Sequence, residues 1–387
     1  MANYFRGSTT KDAVSYKAGE EMIFELELVH DGKAFGVPLF KWECYGDDGV
    51  KETGIVPGES GKLTVRASVA VPGFVHVIVT ALSCDGTPIS GIDKFEGGAG
   101  AGIDEIAQGV PDPEDYDEFW AKQLETLDKV APETLRKVEV DAGDPEYIAY
   151  DLRIKSVGEV PVSAILTMPR NAGEKSLKGR VSFHGYGFDG ALINRIPGTA
   201  NLDISIHGHE NLREQAYYDE YAKTHGGFAF NREENKRPET CFFAALILRD
   251  IQGIRWLRSL PEYDGKGFEI AGGSMGAMQT VNVAARIDDV NSISITVPWL
   301  CDLGGIEVGR MRGWRPEFDE GVRYFDTAAA ASRVKCPVEI TCGLGDYVCP
   351  PSGEVVLWHN FKSKKSIKFV QNMTHPYRPI EVIAYER

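Results

Sequence analysis

Between Ser15 and Lys94 apolar and polar residues alternate with a period of two, in short runs divided by turn signals. Residues 21–28, 40–44, 62–65 and 74–79 each place one apolar and one polar face on an extended chain, and turns such as His30-Asp31-Gly32-Lys33 close hairpins between them. The pattern predicts a small antiparallel, Ig-like β-sandwich over residues 1–97. The run Gly97-Gly98-Ala99-Gly100-Ala101-Gly102 then reads as the core of a glycine-rich linker over 98–110, the alternative being a tightly packed glycine turn. A helix follows, opened by Pro111-Asp112-Pro113-Glu114, with Tyr116, Phe119, Trp120, Leu124 and Leu127 on one face.

Beyond Tyr147 the period changes. Apolar runs at 148–154, 161–168, 181–184, 202–206, 268–271, 292–297, 338–342 and 367–370 read as sheet strands. Phe243, Ile247, Ile251, Ile254 and Leu257 form the sheet-facing stripe of a long helix. Strands alternating with helices predict a mostly parallel sheet covered by helices over 111–387, hence an α/β domain. Residues 188–236 exceed what a strand-to-helix link needs and read as a cap segment.

Composition narrows the function. A net charge of −15 opposes binding to a phosphate backbone, so nucleic acid is not an expected partner. The first residues show no basic-then-apolar leader, and no long apolar run spans a bilayer, so the expectation is a cytoplasmic protein without a membrane partner. Seven cysteines lack paired zinc spacing and read as reduced thiols, the alternative being a Cys336–Cys342 or Cys342–Cys349 disulfide.

The chemistry starts at Gly272-Gly273-Ser274-Met275-Gly276, which follows a strand-like run and precedes the helix-compatible Ala277-Met278-Gln279. In such a G-x-S-x-G turn the serine sits on a strained strand-to-helix corner, with the acid and then the histidine later in the chain. Two histidines follow. His359 lies in a probable helix and reads as structural, whereas His375 is on the loop after the last strand and is the expected base. Asp346, at the carboxyl end of the penultimate strand, is the expected acid; Asp302, Asp319 and Asp326 lack that placement. The oxyanion donors are expected at the amides of Met275 and of Tyr186 in the loop His184-Gly185-Tyr186-Gly187-Phe188. His184 reads as a residue that orients this loop. His207, His209 and Glu210 show no further ligand at a metal-site interval, so no metal is expected. Tyr186, His207, His209 and Trp299 are candidate substrate contacts, with Trp299 and Trp314 able to serve either as a sugar platform or as core.

His184-Gly185-Tyr186, the elbow, Tyr324-Phe325-Asp326 and above all Gly343-Leu344-Gly345-Asp346-Tyr347-Val348-Cys349-Pro350-Pro351-Ser352 resemble carbohydrate esterase family seven, the acetyl xylan esterases and cephalosporin C deacetylases. Asp112-Pro113-Glu114-Asp115-Tyr116-Asp117-Glu118-Phe119-Trp120 is similar to the opening helix of that family. The resemblance spans 111–376. It implies an α/β-hydrolase that removes small acyl groups, chiefly acetyl, from carbohydrate hydroxyls without a cofactor, with Ser274, Asp346 and His375 as triad. Three positions depart from the family pattern: His207-Gly208-His209 replaces Arg-Gly-Gln, His375-Pro376 replaces His-Glu, and Met275 replaces glutamine. The sandwich is an addition to it. Assembly state, including a homo-oligomer, stays open. Rival readings are a serine hydrolase of another ester, lactone or peptide, and a non-catalytic carbohydrate adaptor.

Overall fold

A computed structural model describes residues 3–387. At its amino end two four-stranded antiparallel sheets face each other. In one, Met22–His30 lies between Asn3–Thr9 and Lys62–Ala67 and also pairs with Lys33–Ala34; the other runs Lys51–Pro57, Leu39–Gly46, Gly73–Leu82, Phe95–Ala101. The alternation does what its period dictates: Phe24, Leu26 and Leu28 are buried while Glu25 between them is exposed. Phe5 of the first sheet meets Phe40 of the second at a ring separation of 5.7 Å, closing the sandwich core.

The glycine tract is not a linker. Phe95–Ala101 is a strand, paired from Val79↔Phe95 to Gly73↔Ala101. Its glycines serve close approach instead of flexibility. A Cβ on Gly98 would sit 2.5 Å from the Val75 carbonyl oxygen and 2.7 Å from that of Leu344 in the second domain. Across the seam, a Cβ on Gly345 would sit 1.9 Å from the Glu96 carbonyl oxygen. Composition alone cannot separate a bare strand from a flexible tether, since both need residues without side chains. Phe74 and Phe369 touch across the same seam at 6.1 Å, and both halves feed one continuous apolar core.

The second domain is built on a ten-stranded sheet in the order Ala384–Glu386, Lys365–Val370, Val338–Gly343, Val290–Thr296, Tyr263–Gly273, Leu177–Phe183, Thr199–Ser205, Val162–Pro169, Tyr147–Ile154, Thr134–Val140. Six neighbouring strands, from Lys365–Val370 through Thr199–Ser205, are parallel; the flanking pairs are antiparallel. Thr134–Val140 and Ala384–Glu386 escape sequence reading because one is almost wholly exposed and the other spans three residues. Phe242–Leu257 and Met275–Ala284 bury most of their length against this sheet region. Within the expected cap, Thr199–Ser205 is a sheet strand; residues 188–198 before it and the stretch after it, with helices Gln215–His225 and Arg232–Asn235, lie outside the sheet.

All seven cysteines are free, so neither disulfide forms. Among the described residues no helix is long and apolar enough to cross a membrane.

The seam makes a stability prediction. Gly98→Val should lower the unfolding free energy in urea by about 1–3 kcal/mol, the usual cost of overpacking. Gly173→Ala, where an added Cβ meets nothing within 4 Å, should stay within about 0.5 kcal/mol of wild type.

Candidate active site

Ser274 occupies the corner between strand Tyr263–Gly273 and helix Met275–Ala284, with φ 55° and ψ −121°. This backbone conformation is strained for any residue with a side chain and persists only where surroundings enforce it. They do. The Ser274 N–H donates to the Thr296 carbonyl at 2.9 Å, and its own carbonyl accepts from Trp299 N–H at 3.2 Å. The two flanking glycines are obligatory: a Cβ on Gly272 would lie 2.3 Å from the Gly276 backbone, and one on Gly276 would lie 2.3 Å from the Phe183 carbonyl oxygen. Ser274 itself remains partly open to solvent.

Asp346 and His375 come together as the chain order predicts. His375 Nδ1 donates to Asp346 Oδ2 at 2.8 Å, while Oδ1 accepts the Val348 and Cys349 amides, each at 2.9 Å. The carboxylate is completely buried and the imidazole is 26% exposed, so the ring reaches solvent while its partner is sealed. Holding Nδ1–H in this way leaves Nε2 as the acceptor that a serine hydroxyl needs. Among the described residues no hydrogen bond joins Nε2 to Ser274 Oγ, a contact that is commonly long in unliganded hydrolases.

Cys349 shares this cluster, its Sγ lying within 4.8 Å of the facing atoms of Asp346 and His375. Burial, and next the Asp346 charge, push its thiol well above the ordinary range. It therefore stays neutral and cannot compete with Ser274 as nucleophile. The alternative acids are committed elsewhere. Asp326 accepts the Asp302 and Leu303 amides and caps the helix Thr327–Ala331, Asp302 pairs with Arg310 at 2.5 Å, and Asp319 with Arg232 at 2.9 Å. His359 is on helix Pro351–Asn360 and donates to the Ile106 carbonyl at 3.0 Å.

Both triad loops are held by the sandwich. Gln371, four residues before His375, accepts the Gly98 N–H at 2.9 Å and donates to the Gly98 carbonyl at 3.0 Å. Asn372 accepts the Glu96 N–H at 3.0 Å and donates to the Phe5 carbonyl at 3.3 Å. His76 stacks on Tyr347, next to Asp346, at 3.8 Å and 17°. None of these residues stands out in the sequence. The only available signal was the amide pair Gln371-Asn372 between the last apolar run and His375.

The loop 184–188 lies against the elbow: a Cβ on Gly185 would sit 3.8 Å from Ser274 Cβ. Neither the Tyr186 nor the Met275 amide donates to another group among the described residues, as oxyanion donors require. His184 bonds Asp203, which also accepts from Ser182 Oγ at 2.6 Å, Leu192 N–H at 2.8 Å and Asn194 Nδ2 at 2.9 Å. Burial works against a charged His184, but the Asp203 partner outweighs it and raises its pKa. His207 and His209 spend their Nε2–H groups on the Gly187 and Phe188 carbonyls at 3.2 and 2.7 Å. Burial lowers both pKa values, that of His207 to about 3, so both are neutral struts behind the loop. They face its carbonyls, which is a positioning role in place of the expected substrate contact.

Tyr186 stacks on Phe228 at 4.0 Å and 4°, and meets Trp314 edge-on at 4.8 Å. Trp299, for which the sequence leaves platform and core both open, is 1% exposed and donates its indole N–H to the Trp314 carbonyl at 2.6 Å. Trp314 is the exposed member of the pair, at 44%. The Trp299 ring packs between Phe243 and Trp314, at 6.0 and 5.5 Å, and is part of the core.

The sheet order, with the strand before the elbow flanked on both sides by parallel neighbours, together with a serine corner beside a buried carboxylate–imidazole pair, defines an α/β-hydrolase. The chain belongs to the acetyl xylan esterase (AXE1) family, whose model matches residues 103–310 and 317–383. An acetyl esterase, Axe7A, from Xylanibacter ruminicola is 25% identical over 394 residues, covering 90% of this chain and 82% of that relative. In fold the chain is similar to the acetyl xylan esterase of Paenibacillus sp. R4 (TM-score 0.57, 18% identity, 72% of this chain and 94% of that one). It is also similar to acetyl xylan esterase 1 of Thermoanaerobacterium sp. JW/SL YS485 (TM-score 0.56, 21% identity, 72% and 93%).

The His184–Asp203 pair makes a titration prediction. In wild type the His184 ring, followed by NMR, should titrate above the ordinary histidine value, and in Asp203→Asn below it, because burial is then opposed only by the smaller influence of the Asp189 charge. A raised native pKa adds stability that is complete below the unfolded value of about 6.5 and is lost as pH rises through the native one. The stability gap between wild type and variant should therefore shrink from pH 5 to pH 8.

Proposed function

We propose that this chain is a serine esterase that removes acetyl groups from acetylated xylan or xylo-oligosaccharides. The observation that carries the reading is the 2.8 Å His375–Asp346 bond beside the strained Ser274 corner, in a chain of the acetyl xylan esterase family. His375 Nε2 takes the Ser274 proton as Oγ attacks the acetyl carbonyl. The Tyr186 and Met275 amides receive the developing oxyanion, a donor pair in which each member contributes about 3–4 kcal/mol. Collapse of the tetrahedral intermediate expels the sugar oxygen, which takes its proton from His375. Water, deprotonated by the same imidazole, then attacks the acetyl-enzyme, and acetate leaves with Ser274 restored. Asp346 holds the tautomer throughout and stabilises the imidazolium.

The aromatic wall of Tyr186, Phe228, Phe230 and Trp314 supports a short acyl group and a sugar leaving group. Seven free thiols, six of them buried, suit a reducing compartment, and the cytoplasm is the proposed site of action.

Purified protein should release acetate from acetylated xylo-oligosaccharide and cleave p-nitrophenyl acetate faster than the butyrate or octanoate. Ser274→Ala should abolish both, and Asp346→Asn should lower kcat by about 10⁴-fold with the fold intact. Acetate release undiminished in Ser274→Ala would exclude the mechanism, and a preference for long acyl chains would exclude the substrate class.

A further inference from the structure

A cavity of about 530 Å³ opens between the sandwich and the hydrolase domain. Tyr45, Lys51 and His76 line it from the sandwich, and Met311, Trp314 and Tyr347 from the hydrolase. Its size falls within the range of about 300–1,000 Å³ typical of small-molecule sites, and its mix of aromatic faces with a few polar groups is typical as well.

Two features join it to the reacting centre. Tyr347 is the residue after Asp346, and the Trp314 ring lies 4.8 Å from that of Tyr186 in the oxyanion loop. The Trp314 segment is also fixed in place. Trp314 N–H donates to the Val348 carbonyl at 3.0 Å, its carbonyl accepts the Trp299 indole N–H at 2.6 Å, and Met311 N–H donates to buried Asp47 of the sandwich at 3.0 Å. A tryptophan this rigid and 44% exposed leaves apolar surface in water at no gain to the fold.

Most of the lining lies outside the stretches that the family model matches. Of all its residues only Gly309 and Tyr347 fall within the stretches matched by the family model; the sandwich wall precedes residue 103, and Met311, Gly313 and Trp314 fall in the gap between 310 and 317. What the sandwich adds to the hydrolase is thus one wall of a compartment beside the triad.

We propose that this cavity is a sugar-binding subsite that receives neutral pyranose residues of the chain carrying the acetyl group, with Trp314 and Tyr45 as stacking faces. The inference rests on the esterase reading for the identity of the ligand. A pyranose offers apolar C–H faces to aromatic rings and hydroxyls to the polar rim, whereas a bare acetyl ester is too small to reach from Ser274 into the compartment. Binding here raises the affinity for an oligosaccharide without altering the chemical step.

The test uses two sandwich variants remote from the triad: Tyr45→Ala, which removes a face, and Val50→Trp, which fills the cavity from an exposed lining position. With acetylated xylotetraose, kcat/KM should fall about tenfold in each, chiefly through KM, the equivalent of one lost stacking contact. With p-nitrophenyl acetate it should change less than twofold. Unchanged oligosaccharide kinetics in both variants, or a parallel fall with the small ester, would overturn the proposal. A wild type inactive on either substrate would instead defeat the esterase reading. Calorimetry with unacetylated xylotetraose then decides the cavity independently. Binding by wild type that Val50→Trp abolishes supports it; no binding, or binding retained in Val50→Trp, refutes it.

Discussion

The seam along Phe95–Ala101 is the constraint on which the catalytic geometry depends. A strand with glycine at positions 97, 98 and 100 lets two backbones approach closer than any side chain permits, and the segments it meets are those that carry Asp346 and His375. Gln371 and Asn372 convert that proximity into four hydrogen bonds with Glu96, Gly98 and Phe5. Loops at the carboxyl ends of strands are ordinarily the mobile part of such a fold. Here one is tied to the other through Leu344 N–H to Val370 O at 2.9 Å and Gly345 N–H to Met373 O at 3.0 Å, and both are tied to a sheet that has its own core. Reacting groups must be held within a fraction of an ångström, so a rigid backing for these loops bears directly on rate.

The opposite side of the site is fixed by a different device. Ser274 is held by backbone strain and tight glycine packing, and the oxyanion loop by a polar scaffold of His184, His207 and His209. The three imidazoles are shifted in opposite directions for physical reasons. His184 faces the Asp203 carboxylate and is shifted toward protonation, while His207 and His209 face carbonyl oxygens in an aromatic nest and are shifted away from it. The Gly187 and Phe188 carbonyls are thereby engaged from behind, while the Tyr186 amide has no acceptor among the described residues.

What the sequence disclosed follows from how local the signal was. The period-two runs and the long helix stripe are properties of neighbouring residues, so strands such as Met22–His30 and the helix Phe242–Leu257 were legible, as was the order Ser274, Asp346, His375. The glycine strand was misread because its reason for existing lies more than 240 residues away, at Leu344 and Gly345. The contacts of His207, His209 and Trp299 are not legible in the sequence on the same ground. A histidine or tryptophan near a site in sequence has the same composition whether it faces ligand or loop backbone, and only burial at 7%, 6% and 1% distinguishes the two. The places of Asp203 and Cys349 beside the site are not legible in the sequence because neither belongs to the catalytic pattern; each matters through what it holds or fails to do beside it.

The sandwich is attached where it has two consequences at once. The strand Lys365–Val370 lies one place from the sheet's end, so the loops bearing Asp346 and His375 are within reach of a domain packed on that end, whereas Ser274 lies toward the sheet's middle and is reached only from above. A domain docked there must rest on the acid and base loops, and whatever projects beyond the contact must border the opening over the serine. His76 shows both consequences in one residue, since its ring stacks on Tyr347 behind Asp346 and also lines the compartment beside Trp314. Burial lowers its pKa against the opposing pull of Glu96, 3.3 Å away, which favours the neutral form of the stacked ring. Rigidity of the triad and shape of the entrance are therefore coupled: a change in the sandwich that alters one cannot leave the other untouched unless, as at Tyr45 and Val50, it lies on the rim and clear of the seam.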